Sequence, residues 1–195
     1  RSAKLRARPV GTADRPRRWG YHQPQGLLCD THAPEGRPTV FERLPKELPR
    51  VILIGRLDLT SEGLLLLTND GELKRAMELP ASGVPRTYRA RAFGEVSQAQ
   101  LDDLMEGITI DGVRYGSIEA DLERGSGRNR WIEMTLTEGK NREVRRVLEH
   151  LGLKVNRLLR TAYGPFELAD LPRGQAVEIR QSDVERFRKS LKRGR

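Results

Sequence analysis

Short apolar runs, some alternating with polar residues, predict that this chain is built mainly from strands. The candidate strands span residues 19–22, 26–29, 51–54, 64–68, 86–93, 113–123, 131–137, 155–163 and 175–179. Apolar residues at helical spacing predict helices over 72–79, 97–106 and 141–151, and a last basic helix that Ser182 caps. Because the strands do not alternate regularly with helices, the sequence predicts an α+β fold with a mostly antiparallel mixed sheet and flanking helices.

The positive charge of the chain is concentrated at its two ends. The formal net charge is +9, and residues 1–18 and 186–195 each carry +6, which leaves the segment 19–185 at −3. We therefore predict a folded domain over 19–185, with a flexible basic arm before it and a basic tail after it. Such arms add salt-dependent affinity for phosphates, so the charge pattern favours a nucleic acid as the partner. The alternative is that the basic ends only increase solubility.

The composition excludes several classes of protein. No apolar run approaches the ~20 residues of a membrane span, and no apolar segment of a secretion signal is present. We therefore predict a cytoplasmic protein with no membrane partner. The single cysteine, Cys29, excludes an internal disulfide framework and a multi-cysteine metal site. The three histidines, His22, His32 and His150, are too scattered to indicate a metal site.

The most unusual segment runs from Gly55 to Gly71 and begins Gly-Arg-Leu-Asp. If residues 54–58 are extended, Arg56 and Asp58 point to the same side of the chain. An arginine beside a carboxylate keeps it ionised, which suits a nucleophile or a base. The alternative is an ion pair at the end of a strand, and the spacing alone does not separate the two.

Several motifs in order along the chain resemble the RsuA-type pseudouridine synthases. The catalytic motif of that family resembles Gly55-Arg56-Leu57-Asp58 followed by Gly63-Leu-Leu-Leu-Leu-Thr-Asn-Asp-Gly71. The other matching segments are Tyr21-His-Gln-Pro-Gln-Gly26, Pro34-Glu-Gly-Arg-Pro-Thr-Val-Phe41, Arg86-Thr-Tyr88, Glu138-Gly-Lys-Asn-Arg-Glu-Val-Arg-Arg146 and Gly164-Pro-Phe. The resemblance covers about 20–180 and is greatest to the large-subunit, RluB-like branch.

Departures from the family pattern are few. Gln23 stands where lysine is common, which puts one contact in doubt, whereas Ser61 for threonine keeps the hydroxyl and Arg86 for lysine keeps the charge. Most relatives also carry an N-terminal S4 RNA-binding domain, and the residues before Trp19 are too few to form one. Since the chain begins at Arg1, we expect that this domain was truncated; a natural relative without it is the alternative.

The resemblance implies a pseudouridine synthase fold with a central cleft, and an activity that isomerises uridine in RNA without a cofactor or metal. It assigns catalysis to Asp58, Tyr88 and Arg145, with Arg145 as the basic partner of Asp58. Two routes for Asp58 remain open, attack on the substrate or removal of a sugar proton. Helical spacing places Arg145 on a charged face with Arg142, Arg146 and Glu149, opposite the apolar stripe.

The expected partner is ribosomal RNA, specifically a large-subunit precursor, bound by a monomer. Because a stacked uridine must leave its helix to react, we expect base flipping, with Arg56 filling the vacated place. The residues expected to contact RNA are Arg56, Arg86, Arg124, Arg128, Arg130, Lys140, Arg142 and Arg146. The alternative function is a non-catalytic ribosomal RNA-binding or assembly protein on the same fold. A DNA-binding module is excluded by the absence of a helix-turn-helix or zinc pattern.

Overall fold

The structure, a computed structural model, describes residues 15–31, 36–140 and 142–193. The strands are β1 (Arg18–Gln23), β2 (Ile52–Ile54), β3 (Glu62–Thr68), β4 (Arg86–Phe93), β5 (Ile108–Ile110), β6 (Val113–Tyr115), β7 (Ile118–Leu122), β8 (Asn129–Leu136), β9 (Lys154–Tyr163), β10 (Phe166–Glu167) and β11 (Ala176–Glu178). The helices are α1 (Val40–Arg43), α2 (Gly71–Glu78), α3 (Gln98–Asp102), α4 (Glu143–His150) and α5 (Gln181–Arg193). Single 3₁₀ turns cover Pro80–Ser82 and Asp103–Glu106.

Nine strands form one mixed sheet with the order β11-β1-β3-β9-β4-β8-β7, to which β2 adds beside β3 and β10 beside β9. All pairs in it are antiparallel except β3 with β9, which run parallel. That parallel pairing involves only Glu62 with Leu159 and Gly63 with Arg160. It joins a half built from β1, β2, β3 and β11 to a half built from β4, β7, β8 and β9. The α+β class predicted from the sequence is confirmed.

The continuous apolar run of β3 is explained by burial on both faces of the sheet. Leu65 and Leu67 pack into a cluster with Trp19 and residues around α1, whereas Leu64 and Leu66 face α2 and α5. A third cluster lies in the other half of the sheet, between its cleft-side face and helices α3 and α4. These clusters fix the two halves of the sheet and thereby the groove where they meet.

Local structure departs from the sequence predictions in three places. Residues 26–29 form no strand and make only an isolated bridge between Leu28 and Thr39. The predicted arm 113–123 is divided into β6 and β7, because β6 pairs with β5 in a separate hairpin. The predicted helix over 97–106 is α-helical only through Asp102. The first predicted residue of the helix over 141–151 lies outside the described residues.

The basic ends of the chain are described only in part, since residues 1–14 and 194–195 lie outside the described residues. At the C-terminus the structure extends the fold past residue 185, because α5 continues to Arg193 and buries Phe187. At the N-terminus, Arg18 already belongs to β1. Residues 186–193 are therefore an amphipathic helix packed on the sheet, where the charge pattern predicted a tail.

Candidate active site

A cavity of about 710 Å³ lies where the two halves of the sheet meet. Its floor is formed by side chains of β4, β8 and β9, and its walls by the loop 55–61, by α2 and by the segment 138–144. Gly63 permits the close approach of β3 and β9, because a Cβ at its φ of +114° would lie 2.3 Å from the Arg160 carbonyl oxygen. The cleft therefore depends on a glycine at this position of the sequence motif.

Asp58 is held on one wall of the cleft by a tight turn. Its Oδ1 accepts hydrogen bonds from the Thr60 backbone N–H and hydroxyl, both at 3.0 Å, and from the Ser61 hydroxyl at 2.7 Å. The Ser61 N–H donates to the Asp58 carbonyl at 3.1 Å, which closes the turn. These bonds leave Oδ2 without a partner among the described residues. The carboxylate is thus oriented through one oxygen and presents the other.

The backbone before Asp58 is bent rather than extended as the sequence argument assumed. Strand β2 ends at Ile54, and Gly55 adopts a φ of +72°. The Gly55 N–H donates to Glu78 Oε2 at 2.7 Å, and the same oxygen accepts from Lys74 Nζ at 2.7 Å. Helix α2 therefore anchors the start of the loop that carries Asp58.

Arg56 and Asp58 both line the cleft despite this bend. The exposed Arg56 guanidinium forms an ion pair with Asp30, at 3.1 Å, and not with Asp58. Arg56 is thus free of the turn that holds Asp58 and lies at the mouth of the cavity.

Arg145 supports the Asp58 turn from behind. It is 8% exposed, and its Nη2 donates to the Thr60 carbonyl at 2.7 Å. Burial lowers the pKa of Arg145, and the nearby Asp58 charge opposes that shift. Among the described contacts no ion pair within 4.0 Å joins Arg145 to Asp58. The link between them is therefore the turn itself together with a longer-range charge interaction.

Tyr88 lies half-buried on the floor of the cleft. On β4 it is paired with Met134 of β8 and with Arg160 of β9. It packs against the cluster that contains Ala90 and Ala92. Of the two leucines in β9 that could face the site, Leu158 lines the cleft and Leu159 packs into another cluster. The floor therefore offers an aromatic ring and an aliphatic side chain to a planar ligand.

The residues predicted to contact RNA fall into two groups. Arg56, Arg86, Lys140 and Arg142 line the cleft, and Arg146 is exposed on the adjoining helix. The guanidinium of Arg86 is engaged by the protein, because it donates to the carbonyls of Val84 and Thr137 at 3.0 and 3.1 Å. The second group lies in the loop between β7 and β8 and in the first residues of β8, and it consists of Arg124, Arg128 and Arg130.

The loop between β7 and β8 is remote from the cleft. Asn129 is paired with Phe93 at one end of β4, and Leu136 with Arg86 at the other. At ~3.3 Å per residue these ends are ~23 Å apart. The structure therefore does not bring the three loop arginines to the cavity.

Two buried charged groups of the cleft were not anticipated from the sequence. Glu143 is 3% exposed at the start of α4, and its Oε1 accepts from the Lys140 N–H. Burial and, after it, the neighbouring Glu138 raise the pKa of Glu143 to about 8. Burial alone would raise the pKa of Glu138, but hydrogen bonds from the Gly116 N–H and from Glu143, with the charge of Lys140, lower it.

These opposite shifts indicate a protonated Glu143 beside an ionised Glu138 at neutral pH. Glu143 Oε2 has no hydrogen-bond partner among the described residues. The second unanticipated group is Arg160, 3% exposed, whose Nε donates to the Leu64 carbonyl at 2.8 Å. No sequence signal indicated that Glu143 and Arg160 are buried, because their burial depends on segments that are distant in the sequence.

The model of one protein family, described as RNA pseudouridylate synthase, matches residues 20–150. The chain belongs to the RNA pseudouridylate synthase family. An uncharacterized RNA pseudouridine synthase of Rickettsia bellii is 48% identical over 168 residues, which cover 86% of this chain and 72% of that protein. The ribosomal large subunit pseudouridine synthase B of Escherichia coli O157:H7 is 46% identical over 161 residues, 82% of this chain and 56% of that protein. This chain thus spans little more than half the length of that enzyme.

Solved structures agree with membership of this pseudouridine synthase family. A crystal structure of a pseudouridylate synthase has a TM-score of 0.76 and 27% identity, and the match covers 88% of this chain and 73% of that one. Human RNA pseudouridylate synthase domain containing 1 shares the fold at a TM-score of 0.57 and 13% identity, with 90% and 91% covered. The chain is therefore an RNA pseudouridine synthase, an isomerase that acts on uridine in RNA.

Two features are absent from the described residues. No helix among them has the length and apolar character needed to cross a membrane. Within the same residues, no group of three or more His, Cys, Asp or Glu side chains is arranged to hold a metal ion.

Proposed function

We propose that this chain converts a uridine of large-subunit ribosomal RNA to pseudouridine, with Asp58 as the essential carboxylate. The observation that carries the proposal is the fixed orientation of Asp58, one oxygen held by three donors on the wall of a cleft floored by Tyr88. The large-subunit assignment is supported by the similarity to large subunit pseudouridine synthases B.

The reaction breaks the bond between ribose C1′ and uracil N1, turns the base, and joins C1′ to C5. Asp58 either attacks the substrate or removes a sugar proton, and both routes require an ionised carboxylate with a free oxygen. Three donors hold Oδ1 in place and leave Oδ2 for the substrate. The isomerisation adds and removes no atoms overall, so the proton taken from C5 is balanced by one delivered to N1.

Tyr88 and Leu158 form the surface on which the detached base stays while it turns. The Tyr88 ring stacks on uracil, and its hydroxyl oxygen takes the C5 proton while its own phenolic proton passes to water, which supplies the proton for N1. Arg145 acts as a positioning residue. Its hydrogen bond to the Thr60 carbonyl fixes Thr60, and the backbone N–H and hydroxyl of Thr60 both donate to Asp58 Oδ1. Loss of Arg145 therefore disorders the carboxylate without removing it.

The cations at the mouth of the cleft hold the flipped nucleotide. Arg56, Lys140 and Arg142 contact the phosphates on either side of the target, and Arg56 also fills the place that the uridine leaves. Arg86 contributes positive potential while it is engaged with backbone carbonyls. Arg146, Arg124, Arg128 and Arg130 contact RNA outside the cleft, where they add affinity and not catalysis.

The test is tritium release from C5-labelled RNA. Wild-type protein is incubated with labelled 23S and, separately, 16S ribosomal RNA transcripts, and release is compared with that by Asp58→Asn and by Asp121→Asn. Asp121 is exposed on β7, so it is a matched control for the loss of one negative charge. We expect release from 23S RNA by wild type and Asp121→Asn, and background release by Asp58→Asn.

The possible outcomes separate the parts of the proposal. Activity in Asp58→Asn would refute the assignment of Asp58, and release from 16S RNA alone would refute the large-subunit target. If wild type binds both RNAs but releases tritium from neither, the chain is a non-catalytic RNA-binding protein. Folding of each variant is checked by urea unfolding, where Asn at 58 costs within ~1 kcal/mol because its amide oxygen still accepts the three hydrogen bonds.

A further inference from the structure

A second cavity, of about 390 Å³, lies where the chain enters β1 and α5 begins. Four arginines line it, namely Arg15, Arg17, Arg18 and Arg180, together with Glu178 and the first residue of α5. The 13-residue helix directs the positive end of its dipole and its first backbone N–H groups towards this end. Both features favour an anion.

The one carboxylate among the lining residues is already engaged. Glu178 accepts two hydrogen bonds from Arg17, at 2.7 and 3.2 Å. This pairing lowers the pKa of Glu178 and raises that of Arg17. The charges of Arg15, Arg18 and Arg180 are therefore left for a ligand.

Arg18 is the least exposed of the four, at 6%. Its Nη1 donates to the Pro16 carbonyl at 3.0 Å, and its Nε has no partner among the described residues. Burial lowers the pKa of Arg18; the charges of Glu178, Glu185 and Asp70 only partly oppose that shift, and the charge of Arg188 adds to it. Burying a guanidinium without a directly paired carboxylate is costly unless an anion compensates for the lost water.

This cavity is separate from the active site. Arg18 is paired with Thr68, whereas Gly63 at the edge of the cleft lies five residues away along β3. At ~3.4 Å per residue the two positions are ~17 Å apart. A ligand here cannot be the reacting nucleotide, but it can be another part of the same RNA.

We propose that the cavity lined by Arg15, Arg18 and Arg180 binds a backbone phosphate of the substrate RNA, several nucleotides from the target uridine. The proposal rests on the proposed function, because RNA supplies the phosphate. Arg18 supplies its remaining Nη2, the exposed Arg15 and Arg180 close on the phosphate from the sides, and the start of α5 contributes backbone N–H donors.

The test uses two exposed residues, since a change at buried Arg18 can disturb folding. The double variant Arg15→Gln/Arg180→Gln is compared with Lys46→Gln/Arg50→Gln, which removes two exposed positive charges away from both cavities. The affinity of each protein for a 23S ribosomal RNA transcript is measured between 50 and 200 mM salt. Each lost phosphate contact lowers the slope of log K against log salt by ~0.7–0.9.

We expect the shallower slope and weaker affinity only in the Arg15/Arg180 variant, with kcat for tritium release unchanged and KM raised. Inorganic phosphate, added at constant ionic strength, should raise the Tm of wild type and of the control but not of that variant. Equal slopes for all three proteins, or equal losses in both variants, would overturn the proposal. If wild type binds RNA with the expected slopes but is inactive, the proposed function fails while the phosphate site stands.

Discussion

Replacing Glu143 by Gln should stabilise the protein at high pH and change little at low pH. The native pKa of Glu143 is about 8, whereas an unfolded glutamate ionises near its ordinary value of 4.5. Between these values the native state holds a proton that the unfolded state releases. Stability contributed by Glu143 is therefore fully present below pH 4.5 and is lost as the pH rises towards 8. Glutamine mimics the protonated acid at every pH and escapes this loss.

The size of the effect follows from the shift and from screening. A shift of one pKa unit corresponds to ~1.4 kcal/mol, so the full difference amounts to ~5 kcal/mol in the absence of screening. The cleft is open to water and holds several cations, so we expect about 2–3 kcal/mol above pH 8, half of it near pH 6, and almost none at pH 4.5. The charged groups that act on Glu143 are Glu138 and Lys140.

The assay is urea unfolding at pH 4.5, 6, 7.5 and 9, with the free energies of unfolding of the variant and wild type subtracted at each pH. The subtraction removes every other titrating group. Glu119→Gln is the control for the loss of one carboxyl group, since Glu119 is exposed on β7. If Glu143→Gln and wild type keep parallel stability profiles from pH 4.5 to 9, Glu143 is ionised in the native state and its raised pKa is refuted.

Three further predictions follow from the geometry of the fold. Arg56→Ala should lower the single-turnover rate on folded RNA by about one to two orders of magnitude and much less on an unstructured oligonucleotide, because unstacking costs a few kcal/mol; equal losses would limit Arg56 to electrostatic binding. Gly63→Ala should lower the free energy of unfolding in urea by ~2 kcal/mol or more, because the new Cβ would lie 2.3 Å from the Arg160 carbonyl oxygen. The control is Gly112→Ala, which also has a positive φ but open space around it, and it should cost only ~1–2 kcal/mol. Truncation after residue 185 should lower Tm sharply, since it removes buried Phe187, and an unchanged Tm would show that α5 contributes nothing to the core.

The sequence was most informative where a motif has a fixed local shape. The segment around Asp58 could be predicted to carry the chemistry because the carboxylate is held by Thr60 and Ser61, two and three residues away. Tyr88 could be singled out because it matches a family motif, whereas its place on the cleft floor is seen only in the structure. The bend at Gly55 was missed, since an extended backbone is the default after a strand and only the contact with α2 reverses it.

The burial of individual side chains could not be predicted from the sequence. Helical spacing placed Arg145 on one charged face with Arg142 and Arg146, but it did not show that Arg145 alone is buried, beneath the loop of Asp58, while the other two are exposed. Glu143 was not considered at all, because an acid in the first turn of a helix is usually exposed. A last basic helix could be predicted, but its basic composition did not indicate that Val184 and Phe187 are buried in the cluster with Leu64 and Leu66.

The pairing of β1 with β11 has a consequence for synthesis of the protein. Trp19 and Gly20 are hydrogen-bonded neighbours of Glu178 and Val177, so residues from opposite ends of the chain share one ladder. Such a high contact order slows folding, because a long loop must close before the contact stabilises anything. On the ribosome, β1 emerges well before β11 and keeps an open edge until β11 has followed. Nascent chains therefore remain exposed to strand-to-strand aggregation during the synthesis of the segment between these two strands.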